Sequence, residues 1–239
     1  MRYSFENPFI SHQCIENGID KAPIATGINE TYAQCNEDLI IEAVLRANLR
    51  RAGRAMDSIR YIEIGANHPI QTSSTYLLHR VYQASGVLVE PNPVLAERLA
   101  KLRPRDTVVE CVVTASDAAT VDLHIHEKNE LSSISADHIA RFIDFGGREG
   151  ITNTIRCRNM HINQFMKTYG TPWVDYLSID LEGADLEVLA AMDPVFRPTI
   201  IQCEHNGRIE QFADVLRDRG YGLLGITDVN TIFICRGMV

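Results

Sequence analysis

No run in this 239-residue chain approaches the ~18 apolar residues of a membrane-spanning helix, so no membrane span is expected. Basic residues are outnumbered, 23 Lys and Arg against 31 Asp and Glu, for a net charge of -8. A general phosphate-backbone binder carries a basic face, so no nucleic-acid partner is expected. The opening Met1 to Asn7 lacks the apolar core of a signal peptide, and a soluble cytoplasmic protein is the expectation. The six cysteines (Cys14, Cys35, Cys111, Cys157, Cys203, Cys235) include no Cys-x-x-Cys pair. That scatter disfavours zinc or a disulfide frame and predicts buried, reduced thiols. Internal repeats and low-complexity segments are missing as well.

What is present is a core-forming chain, 45% apolar, whose segments alternate between strand-like and helix-like. Residues 1–33 hold many turn formers and read as an irregular arm. A helix follows, capped at Asn36, with Glu37 and Asp38 in its first turn and Gly53 at its end. Ile59–Ile64 reads as a buried strand running into Gly65, and Ser73–Tyr82 as a helix opened by hydroxyl residues. Gly86–Glu90 is the next strand, then a helix with Asn92 as cap and Pro93 at its first position. Thr107–Thr114 reads as one β run. Residues 118–160 break the alternation with strand patterns at Thr120–His126 and Ile151–Arg158 and a short helix near 137–143; they are taken as an insertion. Strand and helix then resume at 173–180, 184–192, 198–204 and 208–219, and the chain closes on a hairpin, 221–226 and 231–235. The expectation is an α/β, Rossmann-like doubly wound, mostly parallel seven-stranded sheet with a reversed C-terminal edge strand. It occupies 34–239 as one domain behind the N-terminal arm.

Such sheets gather ligand groups at the carboxyl ends of strands. Those ends hold Glu63, Gly65 and Asn67, then Glu90, the 111–117 stretch, Asp180 and Glu182, and Glu204, His205 and Asn206. A carboxylate closing the second strand suits a ribose diol, because each oxygen can accept from one hydroxyl. Glu63, inside an apolar strand, is costly to bury unless paired. The turn reads Gly65-Ala-Asn-His-Pro69 instead of Gly-x-Gly-x-x-Gly, leaving no second Gly to admit a pyrophosphate. A nucleoside cofactor without a pyrophosphate fits better, and S-adenosylmethionine is one.

The series Tyr32-Ala-Gln-Cys-Asn-Glu-Asp38, Glu63-Ile-Gly-Ala-Asn-His-Pro69, Val89-Glu-Pro-Asn-Pro93, Ala115-Ser-Asp117, Leu131-Ser-Ser133 and Tyr176-Leu-Ser-Ile-Asp-Leu-Glu-Gly183 resembles the FkbM family of class I S-adenosylmethionine-dependent methyltransferases. The match covers roughly 32–206 in content and order. One departure is Ser178, where related sequences often carry Lys. The resemblance implies a cofactor site in which Glu63, Gly65 and Asn67, with Ser73 beyond them, line the methionine end. Glu90 would take the ribose hydroxyls and the 111–117 stretch, with Ser116 and Asp117, would lie near the adenine; Pro91 and Asp180 are further cofactor-binding candidates. It also implies O-methylation of a small-molecule or glycan-type acceptor, such as a sugar or natural product.

Methyl transfer to a hydroxyl needs alignment and removal of one proton. Asp180, Glu182 and His205 are the candidates for that work. Asp180, Glu204 and Asn206 form an all-oxygen set able to hold Mg²⁺ or another divalent cation. Glu204 and His205 as a supporting hydrogen-bonded pair is the plainer alternative. Transfer to nitrogen or to a peptide- or lipid-linked acceptor, and a nucleoside-binding module without turnover, stay open. A homo-oligomer is compatible with all of these.

Overall fold

A computed structural model describes residues 30–170 and 172–237. Apart from 30–33, the expected N-terminal arm lies outside the described residues. Strands β1 (Arg60–Ile64), β2 (Ser85–Val89), β3 (Thr107–Val109), β7 (Tyr176–Ile179), β8 (Ile200–Glu204), β9 (Tyr221–Ile226) and β10 (Asn230–Cys235) form a seven-stranded sheet in the order β3-β2-β1-β7-β8-β10-β9. β10 pairs antiparallel with both β8 and β9, and the pairs from β3 to β8 are parallel. The reversed strand is therefore the C-terminal one, one place in from the edge.

Alternation along each strand loads both faces. Ile62, Ile64, Val89, Leu177, Ile179, Ile201 and Phe233 pack with α5 (Ile162–Tyr169), α6 (Asp185–Ala191) and α7 (Ile209–Arg217). Tyr61, Leu88, Tyr176, Ile200 and Ile232 face the other way, against α1 (Glu37–Arg51), α2 (Tyr76–Tyr82) and α3 (Pro93–Leu102). Each such fully buried aliphatic side chain stabilises the fold by about 1.5–3 kcal/mol before its ordering entropy is counted. Asn92 caps α3 as its sequence predicts, accepting from Val94 N at 3.1 Å with Pro93 next.

Three local readings change. The β run 107–114 is broken at Glu110-Cys111: β3 stays in the main sheet, while β4 (Val112–Thr114) pairs with β6 (Ile151–His161), itself paired with β5 (Thr120–His126). The insertion thus builds a small second sheet around Val112, Leu123 and Cys157 and carries the short helix α4 (Ala136–Ile139). α2 starts at Tyr76 instead of Ser73, because the hydroxyls of Ser73 and Thr75 bind the Glu63 carboxylate. α5 was not anticipated, although Ile162, Phe165, Met166 and Tyr169 fall at helical spacing and His161 caps it through Asn163 N.

The N-terminal helix is tied to the far edge of the sheet. Glu37 is fully buried, and its Oε1 accepts from Thr227 Oγ1 and Asn230 Nδ2, both at 2.8 Å, in the turn of the β9–β10 hairpin. Asp38 accepts from Thr31 Oγ1 and Tyr32 N, which fastens the segment before the helix.

Candidate functional site

β1 is the strand at which the order reverses, with β2 and β3 to one side and β7 and β8 to the other. The crevice outside its carboxyl end is the expected ligand position of an open α/β sheet. Gly65 opens that crevice at φ 84, with its N–H and that of Ala66 both donating to Val89 O at 3.0 and 2.9 Å. Asp180 N donates to Ile64 O at 2.9 Å, which brings the ends of β1 and β7 together. Above them opens a cavity of about 420 Å³, lined by Gly65, Asn67, Glu90, Asp180, Glu182 and Glu204 among others.

Glu90 is the best-held of these groups. Its Oε2 accepts from Asn67 N at 2.9 Å and its Oε1 from Asn92 N at 2.8 Å, so one oxygen is fixed by each flanking loop. Only 6% of the residue is exposed, and burial pushes its pKa up to about 7 against the pull of those two N–H groups. Each oxygen has a second lone pair beyond the one its N–H occupies, and Glu90 lines the cavity, an acceptor pair suited to a vicinal diol. Cys111, Val112 and Val113 supply an apolar wall next to it.

Across the cavity stands a group of acids. Asp180 is exposed on the cavity side, while protein packs around the rest of it. Burial, then Glu182, Glu204 and Asp185, hold its pKa well above the usual carboxylate range. Glu182 is pushed up to about 8 by burial and then by Glu204 and Glu130. Asp185, first residue of α6, is fully buried and raised to about 8 by burial and Glu204; its Oδ2 has no hydrogen-bond partner. Among the described residues that line the cavity, Lys128 is the single cation.

The insertion closes the cavity from above with Leu131, Phe142, Phe145 and Ser133. It is stitched to the loop after β7 at two points. Ser133 Oγ donates to Glu182 O at 2.9 Å, and His138 Nε2 lies 3.2 Å from Glu182 Oε2. Burial lowers the His138 pKa and raises that of Glu182, so both shifts disfavour an ion pair between a charged imidazole and a carboxylate.

Of the residues singled out from sequence, Gly65, Asn67, Glu90, Pro91, Asp180, Glu182 and Glu204 line the cavity, and six others do not. Glu63 turns to the α1–α3 side, where Ser73 Oγ (3.2 Å), Ser74 N (2.8 Å) and Thr75 Oγ1 (2.5 Å) bind its carboxylate. Fully buried Arg103 binds the same Ser73 and Thr75 hydroxyls, so Glu63 and Ser73 belong to a buried network beneath the loop. Ser116 O accepts from Asn159 Nδ2, and exposed Asp117 lies beyond the wall that Cys111–Val113 form. His205 accepts Gly207 N on Nδ1 at 3.0 Å, and its Nε2 faces Thr227 O at 3.4 Å. With both nitrogens turned to backbone, His205 is not presented as a base. The residue missed from sequence is His138, which lies in the insertion and meets Glu182 only in three dimensions.

The donor set fits a nucleoside better than a metal. Asn206 directs its amide Nδ2–H at Glu204 Oε2 (2.6 Å), presenting a donor where a cation needs an oxygen. Among the described residues, no group of three or more His, Cys, Asp or Glu stands at metal-holding spacing. Glu90, by contrast, presents a buried acceptor pair to the cavity.

Fold and site together define a doubly wound α/β protein with an acid-lined crevice at its topological switch point. The Methyltransferase FkbM domain family matches residues 63–223, more than half of the chain, and the chain belongs to that family. No curated protein matches it. Among solved structures it is similar to one from Galdieria sulphuraria assigned as a sarcosine dimethylglycine methyltransferase. The two share 12% identity and a TM-score of 0.37, with 78% of this chain covered and the chain spanning 63% of that one. A TehB-like SAM-dependent methyltransferase from Corynebacterium glutamicum ATCC 13032 is 12% identical with a TM-score of 0.38, over 96% of this chain and 100% of that one.

Proposed function

We propose that the chain transfers a methyl group from S-adenosylmethionine to a hydroxyl oxygen of a small polyhydroxylated or natural-product acceptor. The observation that carries the reading is Glu90, a cavity-lining carboxylate whose two oxygens are each held by one backbone N–H. Bound there, S-adenosylmethionine would supply an electrophilic methyl on a sulfonium. Glu90 would take the ribose hydroxyls, Val112 and Val113 would flank the adenine, and Gly65 and Asn67 would receive the amino-acid end. Asp180 and Glu182 lie on the acceptor side, where a carboxylate can take a proton. Leu131, Phe142 and Phe145 would exclude water from above.

Transfer to nitrogen is the second reading. It is favoured by the excess of carboxylates over the single lining cation, which suits an amine-bearing acceptor. Calorimetry with S-adenosylmethionine, followed by mass spectrometry of products from a panel of polyols and amines, tests both. Binding with methyl ethers as products supports the first, and methylamines support the second. Tight binding with no product across the panel overturns the enzyme reading in favour of a nucleoside-binding module.

A further inference from the structure

The loop after β7 is held in an uncommon conformation. Glu182 has φ 47 and Gly183 φ 104, two successive residues in the left-handed region, and a non-glycine there is strained. Three contacts maintain it: Ser133 Oγ on Glu182 O, Arg208 Nη2 on Gly183 O at 3.1 Å, and His138 Nε2 at Glu182 Oε2. His138 packs so closely over Gly183 that a Cβ there would lie 2.5 Å from its Nδ1. His138 is 5% exposed, its backbone N is bound by Ser135 Oγ at 3.1 Å, and its ring meets Phe142 edge-on at 5.2 Å. The imidazole is therefore fixed from behind and bears on one oxygen of a cavity-lining carboxylate.

We infer that Glu182 accepts the proton of the acceptor hydroxyl and that His138 is the positioning residue holding the carboxylate for that task. The inference rests on the methyl-transfer reading above. In the step, the acceptor O–H gives its proton to the Glu182 oxygen that His138 does not hold. The O–CH₃ bond forms as the C–S bond breaks, the bonding pair stays on sulfur, and Glu182 ends protonated. A neutral His138 donates its Nε2–H to the ionised carboxylate, so it favours the form of Glu182 that can take a proton. The other charged groups around the pair are Glu130 from the insertion, Asp180 on the same loop, Asp185 on α6, Glu204 on β8, Arg208 before α7, and Arg141 beside His138. Glu204 and Glu130 raise the proton affinity of Glu182, and an Nε2–H donated by His138 would oppose them.

The test uses the full chain and three variants, His138→Leu, His138→Gln and Glu182→Gln. Carboxyl ¹³C titration by NMR, with Glu182→Gln as the assignment control, reads Glu182 without any cofactor. Its midpoint is expected to rise by about one unit, a tenfold change, in His138→Leu and to return in His138→Gln, whose amide can replace the Nε2–H donor. With cofactor and an acceptor found by the panel, the ascending limb of the kcat–pH profile should move up with it. At pH 7.5 kcat should fall about tenfold or more in His138→Leu and about a hundredfold in Glu182→Gln, with the KM for S-adenosylmethionine within about threefold. An unmoved midpoint in His138→Leu overturns the inference. So does an activity loss that follows only melting or cofactor binding. A wild-type protein that transfers no methyl group while the midpoint still moves overturns the proposed function and leaves the pairing of the two groups standing.

Discussion

Gly65 and Asp180 meet backbone to backbone: a methyl placed on Gly65 would stand 1.8 Å from the Asp180 carbonyl oxygen. The close approach is what lets β1 and β7 end side by side under one ligand, and φ 84 adds to the demand for glycine. Gly65→Ala must push the two strand ends apart. We expect loss of S-adenosylmethionine binding by at least about a hundredfold and a destabilisation of about 1–3 kcal/mol. Calorimetric titration and a denaturant melt read the two effects separately, and near-native affinity would show that the crevice is not the cofactor site.

Glu90 gives a pH signature of known sign. Its ordinary value of 4.5 applies to the unfolded chain, while the folded protein holds the proton up to about pH 7. Between these values the folded state binds more protons than the unfolded one, so stability falls as pH rises through that window. Glu90→Gln should flatten the fall measured by urea unfolding at a series of pH values. Cofactor affinity runs the other way, rising toward a plateau above about pH 7 as the acceptor-only carboxylate forms. The same substitution should weaken binding about tenfold or more.

Arg103 is fully buried and donates from Nε to Asp106 Oδ2 at 2.7 Å, from Nη1 to Pro69 O, and from Nη2 to Tyr61 OH and Thr75 Oγ1. Arg103→Met would strand Asp106 and Glu63 without their cation. Breaking a buried pair from one side costs about 3–5 kcal/mol, so the melting temperature should drop by roughly 6–20 °C. Differential scanning calorimetry is the check, and a drop of a degree or two would mean the network is dispensable.

His205→Ala should keep activity within about threefold, because both ring nitrogens are engaged at the edge of the β8 loop. Initial rates at saturating acceptor test this, and a loss of about a hundredfold would restore His205 to the reaction. Chelation with EDTA should leave rate and melting temperature unchanged, given that Asn206 offers Glu204 a donor. Recovery on adding Mg²⁺ would contradict that.

Much of this architecture is legible in the sequence because local signals and global fold agree. Asn92-Pro93 marks a helix start, the apolar strand runs mark the sheet, and carboxyl ends of strands converge on Glu90, Asp180 and Glu204. The failures at the site arise where a side chain's partner is not its neighbour in sequence, and those in the fold where a boundary carries no local mark. Glu63 reads as a ligand because nothing nearby announces the Ser73, Thr75 and Arg103 network. The break at Glu110-Cys111 carries no Gly or Pro, so two short strands in different sheets look like one. His138 sits in an insertion whose only link to β7 is spatial.

β4 has a double membership. Val112 and Val113 form a wall of the ligand cavity, while their strand hydrogen-bonds to β6 and so to the β5–β6 ribbon. Leu123 of β5 lines the same cavity, so that wall and the ribbon form one hydrogen-bonded unit. Crosslinking the ribbon to the main sheet would therefore hold that side of the cavity as well.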